Sequence, residues 1–313
     1  MAIHTILGAN GTIALELIPI LQSNGHPIRL VSRNPKAVAG AALFTADVLN
    51  RDQVFEAVRG SGFVYLLVGL EYDKKIWKTS WPVIMRNVID ACKAAGAKLI
   101  FFDNVYMYGR VKGPMTESTP FIPSSEKGRI RAEIDEMLLA EMKSGNISAL
   151  IAKAADFYGP RAATTSVAGL MVFDKMKNKK TAQWFVNVNQ PHSYTYTPDA
   201  ARGLYMLATT ESAYGQSWHL PTASPALTGR EFVALAAKYM KVANRVQTLP
   251  KWLIHTIGLF VPIMKELGEM LYQNEFPYEF DSSKFEKDFH FAPTSYEQGI
   301  KETAAWFSNE PKK

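Results

Sequence analysis

Cysteine is nearly absent from this 313-residue sequence: Cys92 is the only one, which excludes an internal disulfide. Such cysteine usage is typical of reducing compartments, so we expect a cytoplasmic location. Long hydrophobic runs are also lacking. The longest, residues 252–264, is short for a membrane span and contains His255, Gly258 and Pro262. The start of the sequence shows no signal-peptide pattern, and we expect no membrane partner.

Charge of one sign is not concentrated along the chain. The 35 Lys and Arg residues against 29 Asp and Glu give a net charge of +6, and the densest basic run, residues 175–180, is short. Such a run is typical of a solvated helix end. No nucleic-acid-binding motif accompanies it, so we expect no nucleic-acid partner. We also predict no metal site. The chain is long enough for a large core divided between two lobes.

A glycine-rich turn near the N-terminus is the most informative motif. An apolar-leaning strand runs into Gly8, and Gly11 and Ala14 follow at intervals of three before a helical apolar pattern. Gly8 permits a tight turn, Gly11 lets a pyrophosphate approach the backbone, and Ala14 lets the helix pack closely. The helix N-terminus presents free amides to the phosphates. An ordinary strand–turn–helix is the alternative. The predicted cofactor contacts are Gly8, Asn10, Gly11, Thr12 and Ile13.

Further candidate cofactor contacts stand at the ends of the next strands. The second strand ends at Ser32 and Arg33, where NAD-preferring proteins carry an acidic residue that binds the ribose 2′-hydroxyl. A hydroxyl and a guanidinium suit a 2′-phosphate. We therefore predict NADP(H) as the preferred cofactor and NAD(H) as the second choice; the alternative is an exposed surface arginine. Asp47 either accepts from the adenine amino group or begins a helix. The remaining candidates are Val48, Leu67, Val68 and Gly69.

Strands and helices alternate along the first half of the chain. Uninterrupted apolar runs, such as residues 63–69 and 98–102, predict strands buried on both faces. Helical patterns cover residues 81–94 and 127–142. This alternation predicts an α/β fold with a Rossmann-type, doubly wound parallel sheet. Beyond residue 160 the alternation of strands and helices is less regular. Residues 250–271 are predicted to form an apolar helix packed between the two lobes.

Six short motifs occur along the chain. They are GANGTIA (8–14), DV (47–48), VYMYG (105–109), DFYGP (156–160), YTPDAA (196–201) and DSSK (281–284). Their order and spacing resemble the extended short-chain dehydrogenase/reductase superfamily, in its NAD-dependent epimerase/dehydratase family. The resemblance implies an NAD(P)-binding Rossmann domain at residues 1–160, to which residues 196–220 return. Residues 161–195 and 221–313 would form a smaller, mostly C-terminal α/β substrate lobe.

The residues that carry proton transfer in this family are replaced here. Members usually have a serine or threonine at the position of Asn104. They also have a Tyr-x-x-x-Lys pair, the general acid and the ribose-binding lysine, where this chain has Lys127 and Arg131. If the strand continues, Tyr106 shares a face with Asn104, and a phenol whose pKa is lowered by Lys127 or Arg131 could be the acid. Lys127 is a second candidate. Alternatively, both cations only hold cofactor oxygens and Tyr106 is a packing aromatic.

The candidate substrate contacts also depart from the family pattern. Nucleotide-sugar members carry an arginine at the position of His192 and an asparagine at that of Asp156. A carboxylate repels a pyrophosphate, and a histidine replaces a fixed guanidinium poorly. These changes argue against a nucleotide-sugar substrate. Tyr108 is either a further substrate contact or a packing aromatic.

Two functional hypotheses remain open at this point. The first is an NADP(H)-dependent oxidoreductase or epimerase-like enzyme that transfers a hydride to or from a small carbonyl or alcohol. The second is a non-catalytic NADP(H)-binding regulatory protein. The resemblance also implies a homodimer that pairs through the helices predicted at residues 81–94 and 127–142.

The first testable prediction concerns cofactor choice. A charge-assisted contact to the 2′-phosphate contributes about 1.5–3 kcal/mol, on the order of a tenfold to hundredfold preference for NADP(H) over NAD(H). Arg33→Ala should therefore weaken NADP(H) binding by that factor and leave NAD(H) binding unchanged, as measured by calorimetry. Equal affinities of the unmodified protein for the two dinucleotides would contradict the prediction.

Overall fold

The structure, a computed structural model, describes residues 2–309. The strands in chain order are β1 (Ile3–Leu7), β2 (Ile28–Ser32), β3 (Ala41–Thr45), β4 (Ser61–Leu66), β5 (Lys98–Asp103), β6 (Ala149–Lys153), β7 (Asp156–Tyr158), β8 (Ala182–Phe185), β9 (Pro191–His192), β10 (Tyr194–Tyr196), β11 (Ser217–His219), β12 (Leu227–Thr228) and β13 (Val246–Leu249). The helices are α1 (Thr12–Ser23), α2 (Arg51–Val58), α3 (Lys74–Ala95), α4 (Glu126–Lys143), α5 (Asp174–Lys177), α6 (Thr197–Thr209), α7 (Gly229–Met240), α8 (Lys251–Gly258), α9 (Pro262–Gly268), α10 (Tyr272–Glu275), α11 (Ser283–Phe289) and α12 (Tyr296–Asn309). Single 3₁₀ turns lie at Tyr106–Tyr108 and Glu211–Ala213, and a π-helical turn at Gly169–Phe173.

Seven parallel strands form the central sheet, in the order β3–β2–β1–β4–β5–β6–β11. The strand order reverses between β1 and β4, and the crevice outside the carboxyl ends of these strands is where such sheets bind dinucleotides. The predicted Rossmann-type, doubly wound parallel sheet is therefore confirmed. The predicted apolar runs form its centre, since β4 to β6 carry almost no exposed side chains.

Helices cover both faces of this sheet and bury its apolar side chains. On one face, α1 and α6 pack over β1 and β6 through Leu17, Leu21 and Leu204. On the other, α2, α3 and α4 pack through residues that include Trp81 and Ile134. Burial of both faces explains why these strands lack the polar alternation of a half-exposed sheet.

The segment from α6 to β11 lies with the N-terminal half of the chain. α6 packs against α1, and β11 pairs with β6 through Trp218 and Ala152. The remaining small sheets pair β7 with β10, β8 with β13 and β9 with β12. They surround an aromatic core that includes Tyr158, Phe173 and Phe232. Within this part, Thr228 caps α7 in a capping box with Glu231.

Two local predictions differ from the structure near the site. The helix expected at residues 81–94 begins earlier, at Lys74, because Asp73 caps it by accepting from the amides of Lys75 and Ile76. The strand predicted at residues 98–102 ends at Asp103 and does not continue to Tyr106, which lies in the 3₁₀ segment Tyr106–Tyr108, so the condition for a face shared with Asn104 is not met. Because Tyr106 lies in this turn and not in a strand, the alternation of strand side chains does not determine the direction of its ring.

The apolar stretch at residues 250–271 forms two short helices joined by a turn, a helical hairpin, and not the single helix that was expected. α8 ends at Gly258, the chain turns through residues 259–261, and Pro262 occupies the first turn of α9, where a proline is tolerated. Leu259 and Phe260 in the turn are among the most exposed apolar side chains of the described residues. Among residues 2–309, no helix combines the length and apolarity needed to cross a membrane.

Assembly as a homodimer stays a prediction, and the exposed faces of α3 and α4 provide its test. Val83 on α3 is 44% exposed, beside the ion pair of Arg86 with Glu141 of α4 at 2.9 Å. Val83→Glu should shift the protein from dimer to monomer in light scattering, because it adds a charge to an interface core. Ile122→Glu, on a loop outside these helices, should leave the dimer intact. A monomeric unmodified protein at micromolar concentration would contradict the prediction.

Candidate cofactor and active site

The turn between β1 and α1 has the backbone geometry of a phosphate-binding turn. Gly8 has φ +92°, and a Cβ there would lie 2.7 Å from the carbonyl oxygen of Leu67, so a larger residue cannot fit. Gly11 is the N-cap of α1 and supplies no side chain to the free amides of the first turn. Those amides face the crevice end of the sheet, with the positive end of the helix dipole behind them.

Thr12 and Ile13 both lie in this first turn, buried against neighbouring segments. The Thr12 hydroxyl lies 2.8 Å from Thr165 Oγ1 and 3.3 Å from the carbonyl oxygen of Arg161. Arg161 also donates to the carbonyl oxygen of Leu15 at 2.8 Å. The loop after β7 therefore borders the amino end of α1, which sequence reasoning did not anticipate.

The carboxyl end of β2 is organised by Asn10. Its amide donates to Ser32 Oγ at 3.3 Å and to the carbonyl oxygen of Asn34 at 2.8 Å. Its oxygen accepts from the amide of Lys36 at 3.3 Å. Arg33 is exposed and makes no polar contact within residues 2–309. Asn10 thus holds the loop that presents Arg33, a free guanidinium, at the predicted position of the ribose.

The ends of β3 and β4 complete the predicted cofactor crevice. Asp47 accepts from the amide of Leu49 at 3.0 Å, so one carboxylate oxygen serves the turn into α2. The carbonyl oxygen of Val48 accepts from Asn87 at 3.1 Å. Leu67 is buried against Gly8, whereas Gly69 is exposed and a Cβ there would meet nothing within 4 Å. The adenine contact predicted for Asp47 stays a prediction.

Lys127, at the family's tyrosine position, is completely buried near the start of α4. Its ammonium makes ion pairs with Glu266 and, at 2.8 Å, with Oε1 of Glu269. It also donates to the carbonyl oxygen of Glu266 at 3.3 Å. An ammonium has three N–H donors, so Lys127 has none left for a substrate or cofactor. The ring of Tyr72 lies 4.5 Å from the ammonium and adds a cation–π contact.

The two glutamates also cap helices, Glu266 with the same Oε2 that pairs with Lys127 and Glu269 with its second oxygen. Glu266 accepts from the backbone amide of Lys74 at the start of α3, at 2.9 Å. Glu269 accepts from the amide of Glu126 at the start of α4, at 3.0 Å. A carboxylate at a helix N-terminus is stabilised by the free amides and by the helix dipole. Each glutamate thus binds both the Lys127 ammonium and one helix end.

Arg131 lies one turn after Lys127 and belongs to a second buried charge cluster. Its guanidinium lies 2.8 Å from Asp103 Oδ1, with its faces against Trp81 at 3.9 Å and Trp77 at 4.6 Å. Asp135 and Lys153, equally buried, form the other ion pair of the cluster at 2.5 Å. Burial raises the pKa of Asp103, the Arg131 guanidinium opposes the rise, and the nearby Asp135 carboxylate adds to it.

Asn104 and Tyr106 lie close together, but not in the arrangement that acid catalysis requires. The Asn104 side chain accepts from the Tyr106 amide at 2.9 Å and stabilises the 3₁₀ turn. The Tyr106 ring stacks on Trp77, and its hydroxyl lies 3.5 Å from that of Tyr72. Burial and the Asp156 carboxylate raise the pKa of the Tyr106 phenol. The Arg131 guanidinium opposes this rise, but burial outweighs it, so the pKa of the phenol is raised and not lowered as expected.

Tyr108 is buried in the core, where the sequence had allowed either a substrate contact or packing. Its hydroxyl lies 2.9 Å from His219 Nε2, and His219 Nδ1 lies 2.8 Å from the carbonyl oxygen of Asp281. Burial lowers the pKa of His219 to about 3. The neutral ring donates from Nδ1 to the carbonyl and accepts at Nε2 from the tyrosine. The Tyr108 hydroxyl is thus fully used inside the protein.

Asp156 and His192, the other predicted substrate contacts, bind each other. His192 Nε2 lies 3.0 Å from Asp156 Oδ2, and Nδ1 lies 3.2 Å from the carbonyl oxygen of Gln273. Tyr278 stacks on the imidazole with its centroid at 4.4 Å. His192 is buried, whereas the Asp156 side chain is 23% exposed. A neutral imidazole has one N–H and can donate to only one of the two oxygens it faces.

Sequence reasoning missed the residues that enclose Lys127 and Arg131. Glu266 and Glu269 are more than 130 positions from Lys127, and Trp77 lies in a part of α3 that was not expected to be helical. One signal was available: these two glutamates are the only acidic residues in the largely apolar sequence stretch 250–271, at a spacing of three. That spacing places both glutamates on one face of a helix. Burying two carboxylates among apolar residues is costly unless a cation pairs with them, so a buried cation could have been expected.

The sheet order and the glycine turn together define a dinucleotide-binding Rossmann protein of the extended type. The sequence profile of the NAD dependent epimerase/dehydratase family matches residues 4–219, and the chain belongs to this family. A dTDP-glucose 4,6-dehydratase from Neisseria gonorrhoeae is 21% identical over 205 residues, which make up 64% of this chain and 56% of that protein. The match thus spans just over half of that relative's length.

Solved structures of the same family share the fold over nearly the whole chain. The UDP-glucose 4-epimerase of Thermus thermophilus in complex with NAD superimposes with a TM-score of 0.79 at 16% identity, covering 98% of this chain and 99% of that one. A dTDP-glucose 4,6-dehydratase double mutant of Streptomyces venezuelae, with NAD bound, gives 0.80 at 15% identity, covering 99% and 97%. At these identities the likeness establishes the fold.

The burial of Lys127 generates a stability prediction. Lys127→Met leaves two carboxylates without their cation and should cost about 3–5 kcal/mol in the free energy of unfolding. Adding Glu266→Gln and Glu269→Gln should recover most of this loss, because no unpaired charge remains. The matched control is Lys78→Met, an exposed lysine 3.8 Å from Glu126, which should cost less than about 1 kcal/mol. Equal costs for the two lysine variants in urea unfolding would contradict the buried ion pair.

Proposed function

We propose that this protein binds NADP(H) in the crevice above β1 and β4 and acts as a cofactor-binding, regulatory member of its family, without the tyrosine–lysine hydride chemistry. The observation that carries the proposal is the complete use of the Lys127 donors by Glu266 and Glu269. Arg131, at the ribose-binding position, is likewise held by Asp103 and two tryptophan rings. Lys127 has no free donor for a substrate, Arg131 is held by an ion pair away from it, and Tyr106 is a poor acid because its phenol is buried.

The cofactor side of the proposal is supported by geometry and by the family. Solved relatives are described in complex with NAD. In this chain, the open amides after Gly11 and the close approach at Gly8 suit a pyrophosphate. The free guanidinium of Arg33 next to Ser32 favours the additional 2′-phosphate of NADP(H). The buried, single Cys92 suits the reducing cytoplasm.

A nucleotide sugar is not the proposed ligand of the substrate side, although the relatives named above are described by such substrates. The position of the family's phosphate-binding arginine is occupied by His192, which is buried and bound to Asp156 and to a backbone carbonyl. A carboxylate at this place repels a pyrophosphate. A small, non-nucleotide ligand fits the remaining polar groups better.

A second candidate function rests on the pair Asp156–His192. The two side chains form an acid–base pair that makes no ion pair with a lysine or arginine among the described residues, and Asp156 is partly exposed to solvent. A carboxylate–imidazole pair can move a proton near neutral pH. On this alternative the protein is an NADP(H)-dependent oxidoreductase that reduces a small carbonyl, with the pair supplying the proton.

Calorimetry and a turnover assay test both proposals. The unmodified protein should bind NADPH but should not oxidise it with a panel of small aldehydes and ketones. Gly11→Val should abolish binding, because its side chain occupies the place of the pyrophosphate, while circular dichroism shows an unchanged fold. Unchanged NADPH affinity in this variant would contradict the cofactor site.

Turnover would contradict the regulatory proposal, and two variants then locate the acid. If Asp156→Asn lowers the rate by about 10²–10⁴-fold and Tyr106→Phe leaves it unchanged, the Asp156–His192 pair is supported. If Tyr106→Phe causes the loss and Asp156→Asn does not, the pair is excluded and the buried phenol is the acid.

A further inference from the structure

Exposed apolar side chains are concentrated at one place on the surface. Of the ten large hydrophobic side chains exposed within residues 2–309, five belong to the hairpin of α8 and α9. Leu259 at 78%, Phe260 at 83%, Val261 at 39% and Ile263 at 44% exposed lie at the turn and the start of α9, and we call these four the hairpin tip. Trp252, 68% exposed, lies near the start of α8, roughly 10 Å away along the helix. Soluble surfaces carry such residues singly, so a cluster of four indicates a binding surface.

The hairpin is packed firmly against the rest of the chain. Its tip is therefore exposed in the folded protein although the two helices themselves are well anchored. Ile254 of α8 is completely buried in a core with Phe185, Leu249 and Leu271. Gly258 lets the two helices approach closely, since a Cβ there would lie 3.0 Å from the amide of Lys265. The ion pairs of Lys127 fix the carboxyl end of α9.

The exposed charge around the hairpin tip is positive. Residues 250–265 contain Lys251, His255 and Lys265 and no acidic residue, although Lys251 pairs with Glu275 at 2.9 Å. Glu266 is neutralised by Lys127. A cavity of about 590 Å³ opens beside the carboxyl end of α9. Its lining consists of Glu126, Glu269, two serines and four cations, Lys74, Lys75, Lys78 and Arg129.

We propose that the hairpin tip inserts into the headgroup region of a bilayer that contains anionic lipids, and that the neighbouring cations bind its surface. Phenylalanine and leucine near lysines are typical of segments that lie in a membrane interface. α9 rises roughly 10 Å over its length, so the cavity cations lie within reach of the anionic headgroups that attract such residues.

Charge and shape favour lipid over a second copy of this chain. Leu259 and Phe260 are nearly as exposed as in an unfolded chain, so the turn is convex. A convex tip buries little area against another protein unless the partner supplies a matching groove, whereas a fluid headgroup layer adapts to it. Two copies meeting at this tip would also bring their cations together, which is repulsive.

The sequence led to the expectation of no membrane partner, whereas the exposed tip favours attachment to a membrane surface. That expectation rested on the length of residues 252–264, which decides whether a segment can span a bilayer. Attachment at the interface requires only exposed apolar side chains at one depth together with cationic neighbours. The hairpin tip supplies both.

The test is sedimentation of the full-length protein with vesicles. The protein should bind vesicles of equal parts phosphatidylglycerol and phosphatidylcholine, more weakly at high salt because screening weakens the cations, and should not bind phosphatidylcholine alone. Leu259→Ser with Phe260→Ser should weaken binding by about tenfold for each lost side chain. Lys74→Gln with Lys75→Gln should weaken binding to the anionic vesicles and remove much of its salt dependence.

The matched control is Ile122→Ser, an exposed apolar residue at 66% outside the hairpin tip, which should bind as the unmodified protein does. The substituted side chains are exposed, except that Lys74 is half-buried, and circular dichroism should show unchanged folds. Failure of the unmodified protein to bind anionic vesicles would overturn the proposal. So would equal binding of the Leu259/Phe260 and Ile122 variants. Loss of dimers in the Leu259/Phe260 variant, without vesicle binding by the unmodified protein, would assign the tip to a second copy.

Discussion

The interaction of the Lys127 ammonium with two carboxylates from α9 fixes the candidate site. Taking three charges out of water is costly, and the cost is offset only while they remain together. Lys127 is completely buried, with Tyr72 against the ammonium. If α9 moved away while Lys127 stayed charged, the cation would be left in aromatic surroundings without a partner. Glu266 and Glu269 therefore keep the hairpin docked over the position where relatives place their general acid.

This ion-pair cluster organises its neighbours as well. Because Glu266 also accepts from the first amide of α3, it stabilises the start of that helix together with the Asp73 cap, one turn before Trp77. Trp77 in turn stacks on Tyr106, and the Arg131 guanidinium lies over the rings of both Trp77 and Trp81. The aromatic rings lower the local dielectric and so strengthen the ion pairs that they enclose. Replacing the family's tyrosine and lysine by two permanent cations is thus compatible with the fold because buried carboxylates accompany both.

The sheet was predictable from the sequence, whereas the site was predictable only in part. Apolar runs and the glycine turn are local signals, and they determine β1, α1 and the neighbouring strands directly. The environment of Lys127 depends on Glu266, which local periodicity cannot connect with it across 139 positions. The position of Tyr106 depended on whether a strand continued past Asp103, and the hydrogen bond from its amide to Asn104 favoured a turn. Both the environment of Lys127 and the position of Tyr106 are set by contacts of the folded chain that local sequence patterns do not encode.

The hairpin has two functions in this arrangement, and they need not be coupled. Its carboxylates point inward to Lys127, whereas its tip, including Phe260, points outward. A ligand shifts a conformational equilibrium only by its difference in affinity for the two states. Since the tip is already exposed with α9 docked, attachment at the tip requires no opening of the site. Attachment would change access to Lys127 only if an undocked hairpin presented more apolar surface, for example the buried Ile254. Exposing that side chain and separating the ion pairs would both cost free energy, so the docked hairpin is the form that a membrane would bind.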